Sequence, residues 1–160
     1  MKKANFLGKL TIKGKLQVIE PNEDVMKAYL QKSSKSLSSA KVLLEIGNLE
    51  DSVALAYYAM YNSLLALLFR VGIKCENHAA AIILLKRVFG LDNVGISRAK
   101  SDRVDKQYYV DFTVSNEETS ESIAVAEVFM AKVADFIARL TEEDVARFRE
   151  AAIKLMRPKR

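Results

Sequence analysis

The stretch that decides the fold is Ala54–His78, which reads ALAYYAMYNSLLALLFRVGIKCENH. No charged residue occurs between Ser52 and Phe69, and the chain turns polar after Gly72. A membrane-spanning helix needs about 20 consecutive apolar residues, so this stretch is at the short limit, and Tyr, Asn and Ser side chains interrupt it. We therefore expect a helix that is buried on most sides, in a helical bundle or its dimer interface, and no membrane span.

Helical patterns continue on both sides of this stretch. Apolar residues recur three and four positions apart, and the segments open with capping residues and close at glycines or Pro158. The predicted helices begin near Asn22, Glu50, Asn77, Ile96, Ser115 and Thr141. Because the connecting loops are short, neighbouring helices should run antiparallel. The sequence predicts an all-α, up-and-down helical bundle of five to six helices.

The first 21 residues have two readings. Alternating apolar residues between Leu10 and Val18 indicate an extended segment, whereas Phe6, Leu7 and Leu10 also fit a helical turn that ends at Gly14. We divide the 160-residue chain into a basic segment at residues 1–21, one bundle domain at 22–157 and a basic tail at 158–160.

The net charge of +5 is concentrated at the two ends of the chain. Residues 1–20 hold five Lys and one Glu, and residues 157–160 hold three basic side chains; the rest of the chain carries 17 basic and 19 acidic residues. The ends could bind nucleic acid or serve only as solubilising segments.

The cysteine content and the N-terminal sequence limit the cellular compartment in which we expect the protein and the disulfide or metal sites that it can form. A single cysteine, Cys75, excludes an internal disulfide and fits a reducing cytosol. No long apolar run follows Lys2 and Lys3, so we expect no signal peptide and a cytoplasmic protein. One Cys and one His are too few for structural zinc. We predict no metal and no cofactor.

The segment AYYAMYNSLLALL with its glycine turn resembles the second helix of the HEPN family. The preceding AKVLLEIGNLEDS and the helix that starts at Asn77 fit the same pattern, and the resemblance covers about Asn22 to Leu140. The resemblance implies a small all-α protein with two kinds of partner: a second copy of the chain in a homodimer, and a minimal nucleotidyltransferase, as in toxin–antitoxin pairs.

Ribonuclease members of this family carry Arg, then four to six residues, then His, near the end of the fourth helix. The matching region here is Arg103-Val-Asp-Lys-Gln-Tyr108-Tyr109, with Tyr in place of His. The residue after Arg103 is Val104, where active members usually have a polar residue. Both departures weaken the resemblance to an enzyme.

The chemistry explains why the missing histidine matters. Histidine transfers protons near neutral pH, whereas tyrosine titrates near pH 10 and is a poor base unaided. Arginine can still bind phosphate through two parallel hydrogen bonds. The candidate nucleotide- or RNA-binding residues are Arg98, Arg103, Lys106, Tyr108 and Tyr109. In the alternative, Arg103 pairs with an acidic side chain and the tyrosines pack in a dimer interface.

His78 is the one histidine of the chain, and it follows Arg70 at a longer spacing than the family motif allows. It opens a helix, where a positive imidazolium is disfavoured, so we interpret it as a packing or hydrogen-bonding residue. The favoured function is a non-catalytic module that binds nucleotide, RNA or a nucleotidyltransferase. The alternatives are a metal-independent endoribonuclease in which Arg103 acts with Tyr108, Tyr109 or Asp105, and a purely structural dimerisation unit.

Overall fold

A computed structural model describes residues 2–107 and 113–159, with side chains described for 6–103 and 113–159. In these parts of the chain there are seven helices and two short strands. They are α1 Lys2–Ile12, β1 Leu16–Val18, α2 Glu23–Glu45, α3 Leu49–Val71, β2 Ile73–Cys75, α4 His78–Arg87, α5 Val94–Gln107, α6 Asn116–Arg139 and α7 Glu142–Met156.

Helix α3 is the centre of the molecule. Helices α2, α4, α5, α6 and α7 and strand β2 all contact it, and α2 packs on it most extensively. Among the described helices, α3 is the one long and apolar enough to cross a membrane, and most of it is buried by the other elements. The all-α class and the buried central helix are confirmed.

Most helix starts are the capping residues that the sequence indicates. The side chains of Asn22, Asn77 and Ser115 each accept a hydrogen bond from a backbone N–H in the first turn of their helices. Thr141 and Asp144 form a reciprocal capping box at the start of α7. Since these bonds satisfy amide groups that have no partner inside the helix, they fix where each helix begins.

The N-terminal segment contains both of the predicted alternatives, one after the other. It forms α1 and then β1, which pairs antiparallel with β2 in the register Leu16 to Cys75. The expected five to six helices are therefore corrected to seven, since α1 is a helix in its own right. Leu7 and Leu16 are fully buried, so this segment contributes to the same core as the later helices.

Two buried serines join α2 to α3. Ser33 on α2 donates a 2.6 Å hydrogen bond to the Ala59 carbonyl on α3, and Ser52 on α3 donates one of 2.6 Å to the Ala40 carbonyl on α2. Small side chains at these positions allow the two helices to approach closely, and each hydroxyl has a partner despite its burial.

The turn after α3 is held by an arginine from α7. The Arg149 guanidinium donates to the Ile19 carbonyl at 2.6 Å and to the Val71 carbonyl at 2.9 Å. Gly72 has a φ of +81°, in the left-handed region that glycine tolerates best. A Cβ on Gly72 would collide with the Arg149 side chain and with the Ile19 carbonyl oxygen. The turn therefore requires glycine for both its backbone conformation and its space.

Candidate nucleic-acid-binding site

Three tyrosines of α3 form the floor of the candidate site. Tyr57 and Tyr61 are four residues apart, so their side chains share one face of the helix, and their rings stack with centres 6.1 Å apart. Tyr58 meets the Tyr57 ring edge-on at 5.7 Å. Tyr57 and Tyr61 are buried, whereas Tyr58 is half-buried.

The first residue of α4 lies against this floor. After Gly72 the chain reverses, β2 runs back along α3, and α4 opens at His78. The His78 ring stacks on Tyr61 with centres 3.8 Å apart and planes at 19°, and its Nδ1 lies 2.7 Å from the Tyr57 hydroxyl. The expected hydrogen-bonding role of His78 is confirmed. Stacking on Tyr61 and the hydrogen bond to Tyr57 together hold the imidazole ring in one orientation.

Both members of this hydrogen bond are neutral at pH 7. Burial raises the pKa of Tyr57 to about 12, with Arg103 opposing the change. Burial also lowers the pKa of His78 below its ordinary value, and the positive charges of Arg103 and Lys100 lower it further. A neutral imidazole can accept a proton, whereas an imidazolium cannot.

Arg103 reaches the same tyrosines from α5. Its Cζ atom lies 4.5 Å from the centre of the Tyr58 ring and 5.5 Å from that of Tyr57. Stacking on an aromatic face holds the guanidinium plane while leaving its N–H groups directed outward along its edge. The Arg103 Nε is buried and has no hydrogen-bond partner in the described parts of the chain.

A cleft of about 340 Å³ that Tyr57 helps to line lies between α3, α5 and α6. The apolar residues that α3 contributes to this cleft are Val53, Ala56 and Met60. The charged side chains on its walls are Arg98, Asp102, Glu118 and Glu121. With three carboxylates and one guanidinium among its lining residues, the cleft is acidic.

The structure describes the side chains of some of the predicted site residues and not of others. Arg103 stands over the tyrosines, and Arg98 is an exposed side chain on the wall of the cleft that Tyr57 also lines. Lys106 belongs to α5, and its side chain lies outside the described part. Tyr108 and Tyr109 also lie outside the described residues, so their roles stay predictions.

The alternative in which Arg103 pairs with an acidic residue finds no support in the described side chains. None of the carboxylates among them forms an ion pair with Arg103, and its contacts there are aromatic. Within the same residues, no group of three or more His, Cys, Asp or Glu side chains is arranged to hold a metal ion.

Sequence reasoning missed the grouping of His78 with Arg103 and the α3 tyrosines. One signal could have revealed it. From Tyr61 to Val71 the helix rises about 15 Å, and five extended residues after Gly72 cover about 17 Å in return. Had β2 been recognised as a strand running back along α3, His78 would have been expected opposite Tyr61.

Comparison with known proteins identifies the family. A family model described as "HEPN domain" matches residues 26–143, which is well over half of the chain. The chain belongs to the HEPN domain family. Tyr57, His78 and Arg103 all lie inside the matched region of this HEPN domain.

Curated relatives come from archaea. A UPF0332 protein of Pyrococcus horikoshii is 42% identical over 69 residues, which is 43% of this chain and 45% of that protein. A protein of Methanocaldococcus jannaschii named "Putative toxin MJ0605" is 32% identical over 125 residues, covering 70% of this chain and 90% of the relative. A UPF0332 protein of Archaeoglobus fulgidus is 29% identical, covering 68% and 92% respectively.

Proposed function

We propose that this HEPN domain binds single-stranded RNA or a nucleotide, with the Arg103 guanidinium contacting a phosphate group. One observation carries the proposal: the Arg103 guanidinium is stacked 4.5 Å over the Tyr58 ring. A cation that aromatic rings hold in place, with N–H groups along its edge, suits a phosphate oxygen. Lys100 adds a second positive charge near His78.

The biological setting that we propose is a toxin–antitoxin system. The relative from Methanocaldococcus jannaschii carries "toxin" in its name and aligns over 90% of its length. In this setting the HEPN domain would act as a homodimer, with a minimal nucleotidyltransferase as its partner. Co-expression with the nucleotidyltransferase of a neighbouring gene, followed by size-exclusion chromatography, tests both associations.

The test of RNA binding compares two arginine variants. Fluorescence anisotropy with a labelled, mixed-sequence single-stranded RNA at fixed salt should show Arg103→Ala weakening binding about tenfold or more, since charge-assisted hydrogen bonds contribute about 1.5–3 kcal/mol. Arg139→Ala removes the same charge at an exposed position where the arginine pairs with Asp135. Arg139→Ala should bind nearly as the wild type does.

Equal affinities for the wild type and Arg103→Ala would overturn the proposal. Circular dichroism of both variants checks that the helical fold is retained. Repeating the titration with AMP in place of RNA separates a nucleotide site from a polynucleotide site, because a polynucleotide gains affinity from several phosphates whereas a mononucleotide has one.

A second candidate function is a metal-independent endoribonuclease. The observation that favours it is the arrangement of an arginine and a neutral imidazole around one tyrosine ring, Tyr57. In the version based on the sequence, Arg103 acts with Tyr108, Tyr109 or Asp105. Cleavage of mixed RNA in EDTA that is lost in Arg103→Ala would support an enzyme, and unchanged cleavage in that variant would exclude this site.

A further inference from the structure

We propose that His78 is the proton acceptor for RNA cleavage at this site, in place of the histidine that the chain lacks after Arg103. The inference rests on the proposed function, because RNA has to be held at Arg103 before His78 can act on it. It also assigns a reaction to a residue that lies far from the family motif in sequence and comes from another helix.

The first step is the geometry of the two groups. Arg103 and His78 come from α5 and from the start of α4, and both lie on the Tyr57 ring: the Arg103 Cζ is 5.5 Å and the His78 ring centre 5.9 Å from its centre. Both side chains are only partly buried, so a ligand can reach them. The Arg103 charge also lowers the pKa of His78, so the two groups are near enough to interact electrostatically.

The second step concerns which imidazole nitrogen is available. The Tyr57 hydroxyl lies 2.7 Å from Nδ1, and the Tyr61 ring covers one face of the imidazole at 3.8 Å. Tyr57 remains a phenol at neutral pH. When Nδ1–H donates to the Tyr57 oxygen, Nε2 carries the lone pair and is the nitrogen that accepts a proton. A phenol can also donate to Nδ1 and leave the proton on Nε2. We assign Tyr57 the accepting role, in which it is a positioning residue for His78.

The third step is the reaction. His78 Nε2 takes the proton of the ribose 2′-hydroxyl, and the 2′-oxygen forms a bond to phosphorus. The bond from phosphorus to the 5′-oxygen of the next nucleotide breaks, and that oxygen takes a proton from water. The imidazolium returns its proton to solvent, so there is no net proton change. The Arg103 guanidinium stabilises the negative charge on the phosphorane oxygens.

The charged groups around His78 set the pH dependence. On α5 these are Arg103 and Lys100; on α3 the titratable neighbours are Tyr57 and Tyr61; on β2 it is Cys75, which burial keeps as a thiol. The positive groups favour neutral His78. Cleavage should rise with pH through the lowered pKa of His78 and then level off, with no loss near pH 7.

The experiment measures cleavage and binding of one labelled single-stranded RNA in EDTA. We expect His78→Ala to cleave at least 100-fold more slowly than the wild type while its affinity for RNA changes less than threefold. Free imidazole added to His78→Ala should restore part of the rate, and it should not restore Arg103→Ala. A purely structural role of His78 predicts no such rescue.

Tyr57→Phe tests the positioning role without removing the imidazole. It deletes the hydroxyl that bonds to Nδ1 and keeps the aromatic ring under Arg103. We expect a slower rate, an altered pH profile and a mixed tautomer population in ¹⁵N spectra of the His78 ring. A wild-type pH profile in Tyr57→Phe would remove Tyr57 from this role.

The outcomes separate this inference from the proposed function. If His78→Ala cleaves at the wild-type rate, or if the wild type binds RNA and leaves it uncleaved, the inference is overturned while RNA binding stands. If Arg103→Ala binds RNA as tightly as the wild type does, the proposed function fails first, and His78 loses the substrate on which it was to act.

Discussion

His78 is the only histidine in the chain, so its ring resonances in an NMR spectrum belong to one residue. Burial, the Arg103 guanidinium and the Lys100 ammonium all disfavour its protonation. We predict an NMR pKa for His78 below the ordinary value of about 6.5. Arg103→Gln should raise that pKa, because it removes one of the two positive charges.

The control for this titration is Arg139→Gln, which removes a charge elsewhere on the surface. A His78 pKa above the ordinary value, or one that Arg103→Gln leaves unchanged, would contradict the arrangement around Tyr57. The lowered pKa of His78 also determines how the stability of the protein changes with pH. Because the unfolded chain binds a proton more readily at this residue, the free energy of unfolding should fall as pH drops below about 6.5 and level off below the folded pKa.

At the residue scale, the sequence predicted one half of the candidate site. Arg103 could be found because a motif spacing surrounds it. His78 was missed, because its neighbour Tyr57 is 21 residues away and their contact depends on β2 carrying the chain back along α3. The contact could be expected only once β2 was recognised as a strand, and three residues are too short a pattern to show that on their own.

Gly72 decides whether the chain can reverse after α3. We predict that Gly72→Ala destabilises the protein by more than Gly47→Ala does. Both glycines have φ near +80°, so both substitutions carry a backbone cost of about 1–2 kcal/mol. At Gly47 nothing lies within 4 Å of the added methyl, whereas at Gly72 it meets Arg149 and the Ile19 carbonyl oxygen, which adds roughly 1–3 kcal/mol.

Urea denaturation of the two variants measures this difference directly. Equal losses at Gly47 and Gly72 would mean that the Arg149 side chain moves aside at little cost, and that the arginine does not hold the turn. A larger loss at Gly72 should be accompanied by weaker RNA binding, because β2 and the start of α4 follow from this turn.

At the element scale, helix ends were the most predictable features. Asn22, Asn77, Ser115 and Thr141 are capping residues by type, and each caps its helix. The sequence did not assign the segment before Asn22 to one type of secondary structure, because some of its apolar residues have helical spacing and others have the alternating spacing of a strand. Burial against α7 and pairing with β2 select helix for the first part and strand for the second.

The two ends of the chain meet in the whole molecule. Helix α1 packs against α7, Leu7 is fully buried, and Gly8 lies close to Pro158. We predict that Leu7→Ala lowers the free energy of unfolding by about 2–5 kcal/mol, as for other buried leucines. Ile12→Ala, on the same helix with its side chain 72% exposed, should change it by no more than about 0.5 kcal/mol.

Urea denaturation followed by far-ultraviolet circular dichroism distinguishes the two ways in which α1 could matter. A single transition that shifts as a whole in Leu7→Ala means that α1 unfolds together with the bundle. An earlier, separate transition that removes only about one helix's share of the circular dichroism signal would show that α1 unfolds before an independently stable core.

The central position of α3 has a consequence for how the protein is made. A ribosome releases α3 after α1, β1 and α2, and the helices that cover its other faces are synthesised later. During that interval the nascent chain displays an apolar helix of bilayer-spanning length. Chaperones and the membrane-insertion machinery recognise such segments, so translation of α5 and α6 competes with misrouting and aggregation.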